Sequence, residues 1–517
     1  MLAILLNGCS AATTDAPSAA EAGRRIYRQG LLPSGEPVTA FVAGDVPVLG
    51  TQFSCQSCHG RSGMGASESS YTVPPIAAQF LFVESPQPKR PAYDVQSLAR
   101  VLRDGVTAGG RVLSAQLMPR YELGDAELVS LAAYLATLSP GNSPGVDTQQ
   151  IHFATVMTED VDPGERAAVL AVLNRFAAEI NAKTRNEAER WDRGYTPESK
   201  LPTAFREWVI EEWTLAGPPS SWDAQLETKY AVGPVFAMLS GLGTGSWRPI
   251  GNFCERHEIP CLFPGTALPE AQAGDFYTLY FSRGLFLEAD LIAARVAAQP
   301  QASIVQVYCD AVSGQAAARL RDALRETGAS VSDIAADCND LHASAEIAGQ
   351  VAAEPGSALV LWLNPGQLAV LKQGLPVRRV YLSSTLLKGA APASLMLTST
   401  DVFIAYPYLL PGEADPAMQR FALWAKTRGV ELTVPRLQAE AFFACLALND
   451  AMKHMGRFVV RDYMLDILDH AQGLAAYLPF YSRPTFGPGQ RFLSKGGYVL
   501  PIVNGKIDTD NAQWILP

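Results

Sequence analysis

Apolar residues recur along this chain with two different periods, and the change between them falls near residue 140. Over 125–138, Leu128, Leu131, Ala132, Leu135 and Leu138 repeat at helical spacing, with Asp125 and Glu127 in the first turn, where the helix dipole favours carboxylates. Residues 22–29 read as another short helix, carrying Gly23 and Tyr27. A turn-rich stretch containing Ser-Pro-Gly-Asn-Ser-Pro-Gly follows at 139–149. Beyond it the spacing predicts strands over 151–157, 234–239, 259–263, 303–309, 331–336, 358–363, 379–382 and 402–405. Helices are predicted over 165–181, 315–327 and 438–455. Strands alternating with helices imply βαβ units and parallel sheets, and there are too many strands for one small sheet. The glycine-rich run 240–245 and the segment 264–266 read as turns between strands.

The length, 517 residues, exceeds one ordinary domain, and 48% hydrophobic with 18% charged residues describes a globular chain with ample core. A net charge of −10 and a pI near 5.3 argue against nucleic acid as a partner, which demands basic stripes. The first residues, Met-Leu-Ala-Ile-Leu-Leu-Asn-Gly-Cys9, are too short an apolar stretch to span a bilayer. They resemble a lipoprotein signal that makes Cys9 the lipidated residue, although a basic n-region is missing and Asn7 is unusual there. Residues 10–20, rich in Ala, Ser and Thr, read as a flexible tether.

The chemistry is concentrated in Cys55-Gln-Ser-Cys58-His59. A bare Cys-x-x-Cys suits a redox dithiol or half a zinc site, but a histidine directly after it is the attachment signature of c-type haem. Both thiols then form thioethers to one haem c, and the imidazole of His59 becomes an iron ligand. Covalent haem attachment requires export, which agrees with the N-terminal reading. Downstream, Leu117-Met118-Pro119 offers a thioether for the opposite side of the iron. The competing methionine, Met64 in Gly63-Met-Gly65, lies only five residues after His59 and reads as a loop residue.

Together the Cys-x-x-Cys-His-Gly start, the Met-Pro loop and the terminal helix with Tyr134 resemble the class I cytochrome c family, over roughly 21–139. The resemblance implies an all-α domain with Cys55 and Cys58 carrying the haem, His59 as proximal ligand and Met118 as distal ligand. It also implies a proline carbonyl receiving the proximal Nδ1–H; Pro74 or Pro75 is the counterpart, and Pro75 is the residue assigned. The stretch 31–53 is longer than the family pattern and reads as an insertion folding over the haem edge.

The second part resembles the type I periplasmic binding proteins of the branched-chain amino-acid and amide branch. The local marks are a helix ending Glu179-Ile-Asn181, the run Pro234-Val-Phe-Ala-Met-Leu-Ser-Gly241, the run Ile259-Pro-Cys-Leu-Phe-Pro-Gly-Thr266, and a late helix over 438–455. The resemblance implies an α/β fold of two lobes with a ligand in the cleft, against loops after strand C-termini. By position Ser240, Gly241, Gly265 and Thr266 supply two such loops, while Arg283 and Tyr406 lie near crossovers between lobes. No carboxylate stands in Arg283-Gly-Leu-Phe-Leu287 to hold an ammonium group, so a neutral or anionic ligand is at least as well served, with Arg283 as its charge partner or as an interlobe ion pair. Gly241, Gly243 and Gly245 have the wrong spacing for a dinucleotide fingerprint.

In an oxidising compartment the bridges Cys254–Cys261 and Cys309–Cys338 are expected, leaving Cys445 as a core thiol. The domain expectation is therefore a signal remnant and tether at 1–20, a cytochrome c domain at 21–140, a linker at 141–150, and a binding-protein domain at 151–517. Within the last, lobe 1 is taken as about 151–285 with 410–458, and lobe 2 as about 286–409 with 459–517. No Ser-His-Asp, paired-carboxylate or phosphate-loop constellation emerges, so the reading is an electron carrier and binding protein and not an enzyme. It is a periplasmic, lipid-anchored cytochrome transferring single electrons to a periplasmic redox partner protein, joined to a module that captures or senses an unknown small molecule. The alternatives are a solute-binding component of an ABC-type uptake system with accessory haem, and a haem subunit of a periplasmic dehydrogenase.

Overall fold

Structure is described here from a computed structural model for residues 18–517, apart from 44, 69–70, 87–88, 139–140, 142, 193–205, 299–302, 339–342, 353–356, 370–378, 389–400, 414, 472, 474–476, 479, 486 and 488. Cys9 lies outside the described residues. The chain divides into two units, with the boundary between Gly141 and Asn142. The expected linker at 141–150 is corrected from Ser143 onward. Ser143 Oγ accepts the Arg461 amide at 3.1 Å, and a Cβ on Gly145 would sit 2.2 Å from the Phe236 nitrogen, so this stretch is packed into the second unit.

In the first unit the helices Ala19–Gln29 and Asp125–Thr137 cross at Gly23, where a Cβ would lie 1.9 Å from the Ser130 carbonyl oxygen. Ser18 caps the first helix through the Glu21 amide, and Gly30 ends it at φ 66°. Tyr27 and Tyr134 meet at 5.3 Å between ring centroids. Ile26, Leu128, Leu131 and Leu135 join Leu98, Val101 and Leu102 of the Val95–Asp104 helix in one core. The all-α expectation is corrected: three small antiparallel sheets accompany the helices. One is built from the long insertion, whose strands Thr39–Val42 and Val46–Leu49 pair with each other and with Arg120–Tyr121.

Two parallel sheets organise the second unit. In the first lobe, Gln150–Thr158 is central, with Glu207–Leu215 on one side and Ala237–Leu239 and Leu242–Ser246 on the other; Cys261–Leu262, Gly265–Leu268 and Thr278–Leu279 lie farther out. The runs expected as turns at 240–245 and 264–266 are corrected to kinked strands. Ser240 (φ 55°) and Gly241 (φ 105°) break one strand, and Phe263 (φ 57°) breaks its neighbour at the same level. The sequence pattern missed Glu207–Leu215 because two glutamates interrupt its apolar run. The second lobe has the order Ser330–Ala335, Ser303–Tyr308, Ala358–Trp362, Arg379–Ser383, Asp401–Tyr406, all parallel, closed by the antiparallel Tyr498–Val503 and Lys506–Ile507.

The lobe boundaries need one correction. Met464, Leu465 and Leu468 of the Arg461–Asp469 helix, with Leu478, Tyr481 and Leu493, pack into the first-lobe core beside the Pro435–Met455 helix, so 459–493 is not second-lobe structure. The chain therefore crosses between lobes after Thr278–Leu279, after Asp401–Tyr406 and before Tyr498–Val503. The first and third crossovers are hydrogen-bonded: Tyr280 N–H donates to the Arg491 carbonyl at 2.8 Å, and Ser494 N–H to the Phe281 carbonyl at 2.8 Å. Gly497 lies close to the second, since a Cβ there would sit 2.8 Å from the Pro407 Cα. Among the described residues no helix is long and apolar enough to cross a membrane.

Candidate functional site

Cys55–His59 forms a single helical turn after Ser54, and Gly60, at φ 74°, redirects the chain immediately after it. Tyr27 of the first helix donates to the Gly60 carbonyl at 2.7 Å, which fixes this turn against the crossing helices. Neither Cys55 nor Cys58 is in a disulfide; Cys55 is partly buried and Cys58 exposed. Burial pushes the Cys55 thiol up to about 12.

His59 Nδ1 lies 3.1 Å from the Pro74 carbonyl oxygen, which corrects the assignment of Pro75. A carbonyl only accepts, so Nδ1 carries the proton and Nε2 keeps its lone pair. Burial lowers the His59 pKa, with the Pro74 carbonyl acting in the opposite direction.

Met118 and Cys55 border the same apolar core, and Met64 is not part of it. The Met118 amide donates to Ser114 at 3.1 Å, and its carbonyl accepts from Arg120 Nη1 at 2.8 Å. The insertion is tied to this segment twice: Thr39–Val42 pairs with Arg120–Tyr121, and Tyr121 O–H donates to the Phe53 carbonyl at 2.8 Å, two residues before Cys55. A small void of about 10 Å³ beside Cys55 is lined by Ile26, Val38, Leu102, Tyr121 and Leu123. Two thiols outside any disulfide and an imidazole on one helical turn, with a thioether on the apolar core that Cys55 also borders, form a donor set that fits covalent haem.

In the second unit the residues expected to face a ligand are largely spent on the fold. Ser240 N–H donates to the Leu262 carbonyl at 2.8 Å and Gly265 N–H to the Gly241 carbonyl at 2.9 Å, so the kinked strands consume them. Thr266 Oγ1 donates to the Gly245 carbonyl at 2.7 Å. At Gly241 a Cβ would lie 2.6 Å from the Val156 carbonyl oxygen, so glycine there serves strand packing. Arg283 is corrected as a ligand partner: it pairs with Asp290, which also holds Arg319 at 2.7 Å. Tyr406 is half-buried and meets Tyr408 edge-on at 5.5 Å.

A buried polar chain lies where the second crossover meets both lobes. Glu288, fully buried on the Leu285–Ala297 helix, accepts from the hydroxyls of Ser383, Ser384 (2.7 Å) and Thr385 (2.9 Å) and from the Thr385 amide (2.9 Å). Because Thr385 gives its proton to Glu288, Tyr408 O–H donates to Thr385 Oγ1 at 3.1 Å. Tyr408 in turn accepts from Arg436 Nη1 at 2.7 Å, and the guanidinium lies 5.1 Å from the Tyr408 ring centroid. Arg436 Nε is 4.0 Å from Glu440, whose carboxylate accepts from Tyr481 O–H at 3.0 Å. Burial raises both Glu288 and Glu440, against these donors and Arg436. Nearby, Lys388 of the second lobe pairs with Glu165 of the first at 2.6 Å.

Glu288, Arg436 and Glu440 went unmarked in the sequence reading. The available signal was a charge on an otherwise apolar helix: Glu288 follows Leu285-Phe-Leu287, and Arg436 with Glu440 has i,i+4 spacing. Cys254 and Cys261, expected as a bridge, are unbridged buried thiols in side-chain contact with each other, with Cys254 Sγ also 3.5 Å from Met238 Sδ. Cys309 and Cys338 are joined, with Cα atoms 5.7 Å apart.

No family model and no curated protein matches the chain. Among solved structures, a branched-chain amino-acid ABC transporter protein from Thermus thermophilus with bound valine aligns at 13% identity and TM-score 0.49, covering 70% of this chain and 95% of its own. A fatty acid ABC transporter substrate-binding protein from Thermomonospora curvata gives 16% and 0.45, covering 73% and 95%. A leucine-binding protein from Thermotoga maritima gives 14% and 0.46, covering 71% and 99%. The two-lobed α/β description rests on the strand order above and not on these scores.

Proposed function

We propose that the chain is an exported solute-binding protein, its second unit a type I periplasmic-binding-protein module and its first a cytochrome c-like module holding one haem c. The observation that carries the solute-binding reading is the chain Glu288–Thr385–Tyr408–Arg436, which runs from second-lobe to first-lobe helices beside the crossovers. Polar side chains of both lobes converge beside the three crossovers seen among the described residues, and a solute seated there draws the lobes together by hinge closure. Delivery to a membrane transporter is the role this arrangement serves, with Cys9 as its lipid anchor.

In the first unit, Cys55 and Cys58 would bind the haem through thioethers, and His59 Nε2 and Met118 Sδ would hold its iron. The group supplies single-electron transfer when bound. Pro74 orients the imidazole by accepting its Nδ1–H, and Arg120 holds the Met118 loop. The module would pass single electrons to a redox partner protein. Pairing of that electron carrier with a periplasmic dehydrogenase is the second reading, favoured by the Cys55–His59 turn alone.

Thermal shift of the full-length exported protein against small acids, amides and alcohols tests the solute reading: a saturable rise in Tm is expected, and flat curves throughout would remove it. Intact mass tests the haem: one covalent haem is expected in the native chain and none in C55A/C58A, whereas an unchanged haem content in that variant would refute the attachment.

A further inference from the structure

We infer that the solute of the second unit is an organic carboxylate without an α-ammonium group, and that Arg436 is the residue that holds its carboxylate. This rests on the solute-binding reading and names the ligand class of that same cleft.

Arg436 has five N–H donors, and among the described residues only the Tyr408 hydroxyl accepts from it within hydrogen-bond distance. Glu440 stands off at 4.0 Å with Tyr481 already on its nearer oxygen, and the Arg436 side chain keeps 25% of its exposure. One prong of the guanidinium is thus braced by Tyr408, under whose ring face it also lies, while the rest of the fork remains for a ligand. A planar fork of this kind pairs bidentately with a carboxylate. Leu437, the next residue, lies against Gly265, and Tyr406 and Tyr408 add aromatic surface, so the body of the ligand meets apolar groups.

An ammonium group finds no comparable partner there. Glu288 has four donors and no exposed surface. Asp290 is shared by Arg283 and Arg319, and Glu165 is paired with Lys388. Glu440 is buried beside Arg436. Among these four carboxylates Glu288, Asp290 and Glu165 are engaged and Glu440 holds the Tyr481 hydroxyl with the Arg436 cation beside it, and an ammonium desolvated without a partner is strongly disfavoured. An α-amino acid is therefore rejected by the group that makes it an amino acid.

Calorimetric titration of the full-length protein with hexanoate, leucine, hexanamide and hexanol tests this. Hexanoate is expected to bind saturably and at least tenfold more tightly than the other three, since a charge-assisted bidentate pair is lost with each neutral head group and an unpaired ammonium is added with leucine. In R436Q hexanoate affinity should fall at least tenfold with Tm retained. Should R436Q not fold, R436K keeps the charge without the fork and Y408F removes the brace; each should weaken hexanoate by several-fold. Leucine or hexanamide binding as tightly as hexanoate, or hexanoate binding unaltered in the Arg436 and Tyr408 variants, overturns the inference while leaving a solute-binding protein. Silence toward all four overturns both.

Discussion

Arg120 Nη1 donates to the Met118 carbonyl at 2.8 Å while its other terminal nitrogen reaches the Leu113 carbonyl, so one side chain clasps both ends of the loop that presents Met118. Gly105 makes room for it, since a Cβ there would sit 2.0 Å from the Arg120 Cζ. In R120A the haem-loaded protein should lose its methionine-ligand absorbance at lower temperature than wild type, with loop stability reduced by about 1–3 kcal/mol. M118A should lack that absorbance from the start while His59 coordination persists. A thermal scan of the visible spectrum reads both.

The close crossing of the first unit's helices depends on Gly23. In G23A the new methyl group collides with the Ser130 backbone and Tyr134, and neither can retreat as a flexible side-chain end would. The variant should lose about 1–3 kcal/mol in chemical denaturation followed by near-ultraviolet circular dichroism.

Glu179 joins the long Pro163–Asp192 helix to the Asp415–Arg428 helix through Arg428 (2.9 Å) and Trp424 (3.1 Å), with Lys183 at 2.6 Å. Its Arg428 bond leads in lowering it to about 2, against an opposing burial effect. The folded pKa is below the unfolded one, so the stabilisation is present above about pH 4.5 and is lost as pH falls towards 2. Wild type should exceed E179Q by about 1–2 kcal/mol at neutral pH, and the two should converge near the acid limit of the titration.

Asp469 has the opposite sign. Burial pushes its carboxyl up to about 7, although Arg491 lies 2.7 Å away. The folded state therefore keeps a proton that the unfolded chain releases, and this group's contribution to stability declines as pH rises from about 4 to about 7. The slope from this residue reaches up to about 1.4 kcal/mol per pH unit. D469N should remove that part of the slope in denaturant titrations at stepped pH, whatever its effect on stability at any one pH.

Cys309 and Cys338 close a loop of sequence separation 29 at the outer edge of the second lobe, just beyond the strands Ser303–Tyr308 and Ser330–Ala335. C309S/C338S should cost about 3–4 kcal/mol by loop-closure entropy. Calorimetry with and without reductant measures it: reduction should lower the wild-type Tm and leave the variant unchanged.

Much of the strand series was legible because a parallel strand buried on both faces needs a continuous apolar run, as in Ala358–Trp362. Glu207–Leu215 escaped because Glu211 and Glu212 break its run, Glu212 meeting Arg166 at 2.5 Å. The kinks at Ser240 and Phe263 read as turns because glycine and proline mark both a turn and a bent strand. Arg283 and Arg436 differ little in sequence context, yet Asp290, seven residues on, captures the first, while the second is braced by a tyrosine from another segment.

The sequence by itself determined the haem-attachment signature, because Cys55, Cys58 and His59 sit on one turn and their chemistry depends on local spacing. It also determined the alternation of strands and helices, which short-range periodicity encodes. Tertiary structure alone decided that Pro74 and not Pro75 meets His59, that Cys254 and Cys261 stay unbridged, and that residues 459–493 belong to the first lobe. It decided as well that Glu288 and Arg436, 148 positions apart in the chain, belong to one polar chain. Such partnerships depend on which segments pack together over long sequence separations, and a burial pattern read along a single chain carries no record of the partner.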